Sequence, residues 1–174
     1  RTIDEIGRER IRRASNMIRE KTSADIDYGF KLYRLERPTA ESLEQIHSFD
    51  PEQEALFQKD MVAAFQFNGT KGQDTILTTW LNLDDYGLTS VPATIPLDTY
   101  ALDVCGDSAY LINPGITSED VHELVRLIEN DESRVTRVVY YPYSVPCHVE
   151  QELKTNLNSA ALKNNVSIKL IARY

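Results

Sequence analysis

Between Tyr100 and Ile171 apolar residues recur first at every second position and then at every third or fourth, and few folds satisfy the order in which the two periods alternate. Tyr100, Leu102 and Val104 alternate with Ala101, Asp103 and Cys105, Gly106 and Asp107 make a turn, and Ala109 to Ile112 returns. This pattern describes a β-hairpin, ended by Pro114 and Gly115. Thr117 and Asp120 stand at capping-box spacing ahead of Val121, Leu124, Val125 and Ile128, the i, i+3, i+4, i+7 stripe of a helix. Val135 to Tyr141 is a β-branched and aromatic run suited to a buried strand. Val149 to Lys163 carries Leu153, Leu157, Ala160, Ala161 and Leu162 at helical spacing, and Val166 to Ile171 is a final strand. A hairpin feeding a β-α-β-α-β order predicts an α/β fold with a mixed β-sheet and packed helices.

The upstream half is read as helical, with one exception. Ile3, Ile6, Ile11, Ala14, Met17 and Ile18 share an arc at helical spacing, so residues 1–21 form an amphipathic N-terminal helix with Thr2 as N-cap and Asp4 and Glu5 at its positive end. Thr22 to Asp27 is polar and aperiodic, and the domain boundary is placed here, with 1–27 as one unit and 28–174 as the other. Gly29 to Glu36 alternates as a strand. Residues 37–50, between Pro38 and the Asp50-Pro51 pair, are a connection. Pro51 starts a helix that runs through Met61, Val62 and Phe65 to about Phe67, closed by Asn68 to Gly72. Asp74 to Tyr86 forms another helix with Gly87 as its cap. Trp80 fits either an interface anchor or the core, and the area a large aromatic buries favours the core.

The chemistry visible in the residues is sparse. The chain of 174 residues has a net charge of -8, which argues against gripping nucleic acid along its whole surface. Arg8, Arg12 and Arg19 lie within about 40° of one another on the first helix, so a phosphate-facing stripe is one reading and i,i+4 ion pairing of Asp4 with Arg8 and Glu9 with Arg13 is the other. The only cysteines, Cys105 and Cys147, have no metal-ligand spacing and fit a reduced, cytoplasmic protein. Cys147-His148 with His122 or Cys105 makes a poor zinc pattern. Glu152-Leu153-Lys154 with Asp103 or Asp107 could be half of a metal-dependent nuclease, except that its period is helical rather than extended. Phe67 to Gly72 has glycines at the wrong spacing for a cofactor loop and reads as a turn. No Pro-Pro pair is present, so an Asp-Pro-Pro-Tyr catalytic loop is excluded.

Thr2 to Ala14 resembles the segment that follows the cofactor-binding strands in the modification methyltransferases of type III restriction-modification systems. Gly29 to Leu35 is similar to that family's Gly-Phe-Lys-Val-Phe-Lys-Leu strand. Asp85 to Leu88, Tyr100 to Asp103, Ala109 to Ile112 and Lys154-Thr155-Asn156 resemble later elements, whereas Tyr143 to Glu150 departs from the family pattern. The resemblance implies a C-terminal piece of a subunit that moves a methyl group from S-adenosylmethionine to adenine N6 in a specific DNA site. The catalytic loop, cofactor loop and target-recognition domain would then lie before Arg1, which is not a methionine. It implies no catalytic, cofactor-binding or metal residue in the chain itself. Its partners would be a second modification subunit, the restriction subunit, and DNA through the parent protein. Arg8, Arg12, Arg13 and Arg19 are the DNA-contact candidates. A free-standing α/β protein-interaction module, or a nuclease, is the alternative.

Overall fold

The computed structural model describes residues 2–22, 25–35, 37, 39–47, 61–66, 69–130 and 133–174. The chain divides into two compact units, Arg1–Leu35 and Glu36–Tyr174.

The first unit holds helix α1, Ile3–Lys21, and, among its described residues, no strand. Thr2 and Glu5 close a capping box at its start, and Glu5 accepts the Thr2 amide at 3.0 Å. No residue of α1 is buried, so its apolar arc is uncovered: Ile3 is 90% exposed, and Ile6, Ile11, Met17 and Ile18 are exposed too. The strand predicted from Gly29 does not form: residues 25–35 are neither helix nor strand. Phe30, Leu32, Tyr33 and Leu35 stay exposed, so neither face of the run is buried.

The second unit is a sheet covered on both faces. Strands β1 (Ala93–Pro96), β2 (Ala101–Cys105), β3 (Ser108–Leu111), β4 (Arg137–Tyr140) and β5 (Lys169–Ala172) lie side by side in chain order. The first three are antiparallel, and β3, β4 and β5 are parallel, so the sheet is mixed as the alternation predicts. Parallel neighbours need crossovers. Helices α4 (Ser118–Glu129) and α5 (Cys147–Asn164) provide them.

Ala109, Leu111, Val138 and Tyr140 turn toward α4 and α5, where they meet Val121, Leu124, Leu153 and Leu157. Tyr110, Ile112, Val139 and Tyr141 turn the other way, against Ile76, Leu77, Trp80 and Leu81 of helix α3 (Gly72–Leu83) and against Met61 and Val62. Burial on both sides explains why β3 and β4 read as continuous apolar runs.

Several boundaries differ from the sequence reading. β1 adds a third antiparallel strand ahead of the hairpin. Ala40–His47 forms a helix, α2, where proline flanks had suggested a connection; its interior holds good helix formers. The helix expected from Pro51 falls mostly outside the described residues, and its described end is a 3-10 turn, Ala63–Phe65. α3 stops at Leu83 rather than Tyr86, because Asp85 enters the left-handed region at φ 64. The Tyr86 amide then reaches back to the Leu81 carbonyl at 3.0 Å and that of Asp85 to Asn82, a Schellman closure made before Gly87.

Gly72 starts α3 where an added Cβ would lie 1.8 Å from the Val62 carbonyl oxygen. Backbone must shift to admit a methyl group. Gly72→Ala is therefore expected to cost about 2 kcal/mol in urea unfolding. Gly7→Ala, with no atom within 4 Å of the new carbon, is expected to be neutral or to stabilise α1 by up to ~1 kcal/mol.

Candidate functional site

The four arginines singled out on α1 are mostly engaged. Arg8 donates to Asp4 at 3.0 Å, Arg13 to Glu9 at 2.8 Å, and the Arg19 guanidinium lies 5.0 Å from the centre of the Tyr28 ring. Arg12 is exposed and pairs with none of the described residues. Arg8, Arg12 and Arg19 share one side of the helix, while Arg13 lies about 140° round from Arg8. Ion pairing thus accounts for two of the four, and Arg12 is the one of the four without a partner among the described residues.

The strongest polar cluster was not singled out from sequence. Asp84, at the end of α3, has 4% side-chain exposure and receives both terminal nitrogens of Arg173, at 2.8 and 3.0 Å. Tyr110 donates its hydroxyl to the same carboxylate at 2.9 Å, and Arg137 stands 3.4 Å away. Arg137 also donates to Ser108 at 2.8 Å, and Tyr86 bridges Ser108 and Asp107. Thr136 donates to Asp107 at 2.8 Å. The guanidinium of Arg173 rests 5.5 Å over the Trp80 ring, which confirms the core role of that residue.

The 89 residues separating Asp84 from Arg173 leave no local signal of this contact. Burial raises the Asp84 pKa, but Arg173, Tyr110 and Arg137 more than offset it and hold the carboxyl below the ordinary carboxylate range. The Tyr110 hydroxyl is pushed up by burial and by Asp84, so it stays a donor at any ordinary pH.

A second buried carboxylate, Asp120, caps α4 and ties it to the turn before β2. It accepts the amides of Thr99 (2.7 Å), Tyr100 (2.9 Å) and Thr117 (2.9 Å) and the hydroxyls of Thr99 and Thr117. Burial works against the charge, yet these donors bring the Asp120 pKa down to about 2. The capping-box spacing was legible; the Thr99 and Tyr100 contacts, about twenty residues upstream, were not.

The remaining motifs do not converge. Glu152 and Lys154 lie on α5, where Lys154 pairs with Glu150, while Asp103 bonds Gln73 at 2.7 Å and Thr94 at 3.1 Å. Among the described residues no three His, Cys, Asp or Glu side chains come together as a metal site.

The class these features define is a mixed-sheet α/β domain whose buried carboxylates are taken up by donors of the domain itself. Residues 71–168 match the family model of the type III R-M EcoP15I C-terminal domain. The chain belongs to this family of type III restriction-modification C-terminal domains. It is 33% identical over 194 residues to the Mod subunit of the type III restriction-modification enzyme StyLTI of Salmonella typhimurium, which covers 99% of the chain. It is 29% identical over 178 residues to the EcoP15I Mod subunit of Escherichia coli, and 32% identical over 101 residues to the EcoPI Mod subunit of Escherichia phage P1. The chain spans 29% and 24% of the lengths of the first two relatives.

Both carboxylates have depressed pKa values, so each adds stability above its unfolded value near 3.8 that is lost as pH falls through the folded value. Acid unfolding is expected to set in below about pH 4 and, for the Asp120 contribution, to finish near pH 2. Asp120→Asn should flatten that limb. Asp84→Ala, which leaves Arg173 and Arg137 without their carboxylate, is expected to cost about 3 kcal/mol at pH 7 in urea unfolding.

Proposed function

We propose that the chain is the assembly region of a type III modification subunit, whose methyl transfer is performed by residues outside it. The observation that carries this reading is the match of nearly the whole chain to about a quarter of the StyLTI and EcoP15I Mod subunits, joined to an α/β domain whose Asp84 carboxylate is taken up by Arg173 and Tyr110. Groups that pair with each other are poor candidates for moving a proton or holding a methyl donor.

In this reading residues 1–27 close the upstream methyltransferase domain, and residues 28–174 form the assembly domain. The uncovered apolar arc of α1 supports the first part, because a stripe of exposed isoleucines is normally covered by another element. The whole subunit would transfer methyl groups from S-adenosylmethionine to adenine N6, extruding the base from a specific DNA site. It would work in the cytoplasm as a dimer with a restriction subunit attached.

Charge fits the division of labour. Residues 1–35 hold nine Lys or Arg against six Asp or Glu, and residues 36–174 hold ten against twenty-one. DNA-backbone contact therefore belongs to α1, through Arg12 and its neighbours Arg8 and Arg19 with Arg13 at the margin, while the acidic domain faces protein.

A tagged copy of the chain is expected to retain an untagged copy or the restriction subunit, and to incorporate no methyl group from S-adenosylmethionine into duplex DNA. Retention of neither protein, or methyl incorporation by the chain alone, contradicts the proposal. In the whole subunit Arg12→Ala is expected to weaken DNA binding about equally on all sequences and to lower the salt slope by roughly one. An unchanged slope removes Arg12 from the DNA contacts.

A further inference from the structure

We propose that α1 packs, along a furrow at Gly7 and Ala14, against an apolar element of the upstream polypeptide that sets a carboxylate against Arg10. The inference rests on the reading of residues 1–27 as the close of the upstream domain, and it names the chemistry of that contact. At about 100° per residue the apolar arc of the helix resolves into two ridges. Ile3 and Met17 rise on one side and Ile11 and Ile18 on the other, all of them exposed. Gly7 and Ala14 lie between the ridges.

Glycine weakens a helix interior relative to alanine. A Cβ added at Gly7 would meet no atom within 4 Å, so the unit itself gives no steric reason for glycine at this place. A small residue between two apolar ridges lets the backbone of a packed neighbour come close. Arg10 stands on the ridge between Ile3 and Met17 and is exposed. Its helix neighbours three and four residues away are Ile6, Gly7, Arg13 and Ala14, none of them a carboxylate. Arg8 and Arg13, by contrast, have Asp4 and Glu9 at 3.0 and 2.8 Å. Covering the arc takes the Arg10 guanidinium out of water, and a buried cation without a counter-charge is strongly unfavourable. The covering element must therefore supply a carboxylate, which a guanidinium holds best through two parallel hydrogen bonds.

Charge also selects the occupant. The arc holds Arg10 and Lys21 and no Asp or Glu, so a second α1 laid upon it would set cation against cation. A lipid surface fits no better. An interfacial helix keeps its cations on the polar face, whereas Arg10 lies within the apolar one and Glu5, Glu9 and Glu20 line the side opposite. The rest of the same subunit remains. The chain spans about a quarter of the StyLTI and EcoP15I Mod subunits, so most of such a polypeptide is there to supply the element.

Hydrogen exchange along α1 in a whole modification subunit carrying these residues tests the contact. Gly7→Leu is expected to speed exchange of α1 at least about tenfold, and Arg10→Glu to do the same, while β3 and β4 stay protected. Asn16→Leu, on the opposite side of the helix, is expected to leave α1 as in the wild type. Gly7→Ala keeps the test open should the larger side chain prevent folding: it leaves α1 of the chain alone no weaker, and it is expected to speed exchange of α1 in the whole subunit. A protected α1 that is indifferent to the Gly7 variants or to Arg10→Glu overturns this contact and leaves the reading of residues 1–27 standing. An α1 that exchanges as fast in the wild-type subunit as in the chain alone overturns that reading as well. Dimerisation of the chain alone that Gly7→Leu abolishes, seen by sedimentation equilibrium, would make a second copy the occupant and overturn the proposal.

Discussion

β3 and β4 carry the C-terminal domain, because their side chains divide between two separate cores. Leu111, Val138 and Tyr140 close the core under α4 and α5, while Tyr110, Val139 and Tyr141 close the one under α3. A register slip of one residue would exchange the two sets and empty both cores. The carboxylates of Asp84 and Asp120 sit at the margins of this arrangement. Asp84 holds the end of α3 to the residue that follows β5, and Asp120 holds the start of α4 to the turn that opens β2. Each ties a helix end to a distant part of the chain, and neither keeps free valence for an outside ligand.

Charge is therefore used in two ways. Within the sheet unit one carboxylate, Asp84, is held by two arginines, Arg173 and Arg137, under low exposure. On α1 the pairs are solvent-facing i,i+4 contacts of small worth, and Arg12 is left over.

Periodicity made the two crossover helices and the strands β3 and β4 legible, because each of these strands had to bury both faces and each helix only one. β1 was missed because Ala93–Pro96 is short and mostly exposed, so it lacks the alternation that marks a half-buried strand. The run at 29–35 misled in the opposite sense: its alternation is real, but a strand exists only with a neighbour to pair with. α2 was hidden by Pro38 and Pro51, which flank it as they would flank a loop. The Asp84 cluster was illegible in principle, since Arg137 and Arg173 reach it only after the sheet has formed. Resemblance to the type III modification subunits, by contrast, was readable from Thr2 to Ala14 and is matched by the family model over residues 71–168.

The account rests on the claim that the surfaces left uncovered here are joints to other parts of a larger protein. Hydrogen exchange of the chain alone, set against the same residues within a whole modification subunit, measures that directly. Slowed exchange along α1 and residues 28–35 in the whole subunit, with β3 and β4 equally protected in both, is the predicted result. Equal exchange of α1 and residues 28–35 in the two samples would contradict it.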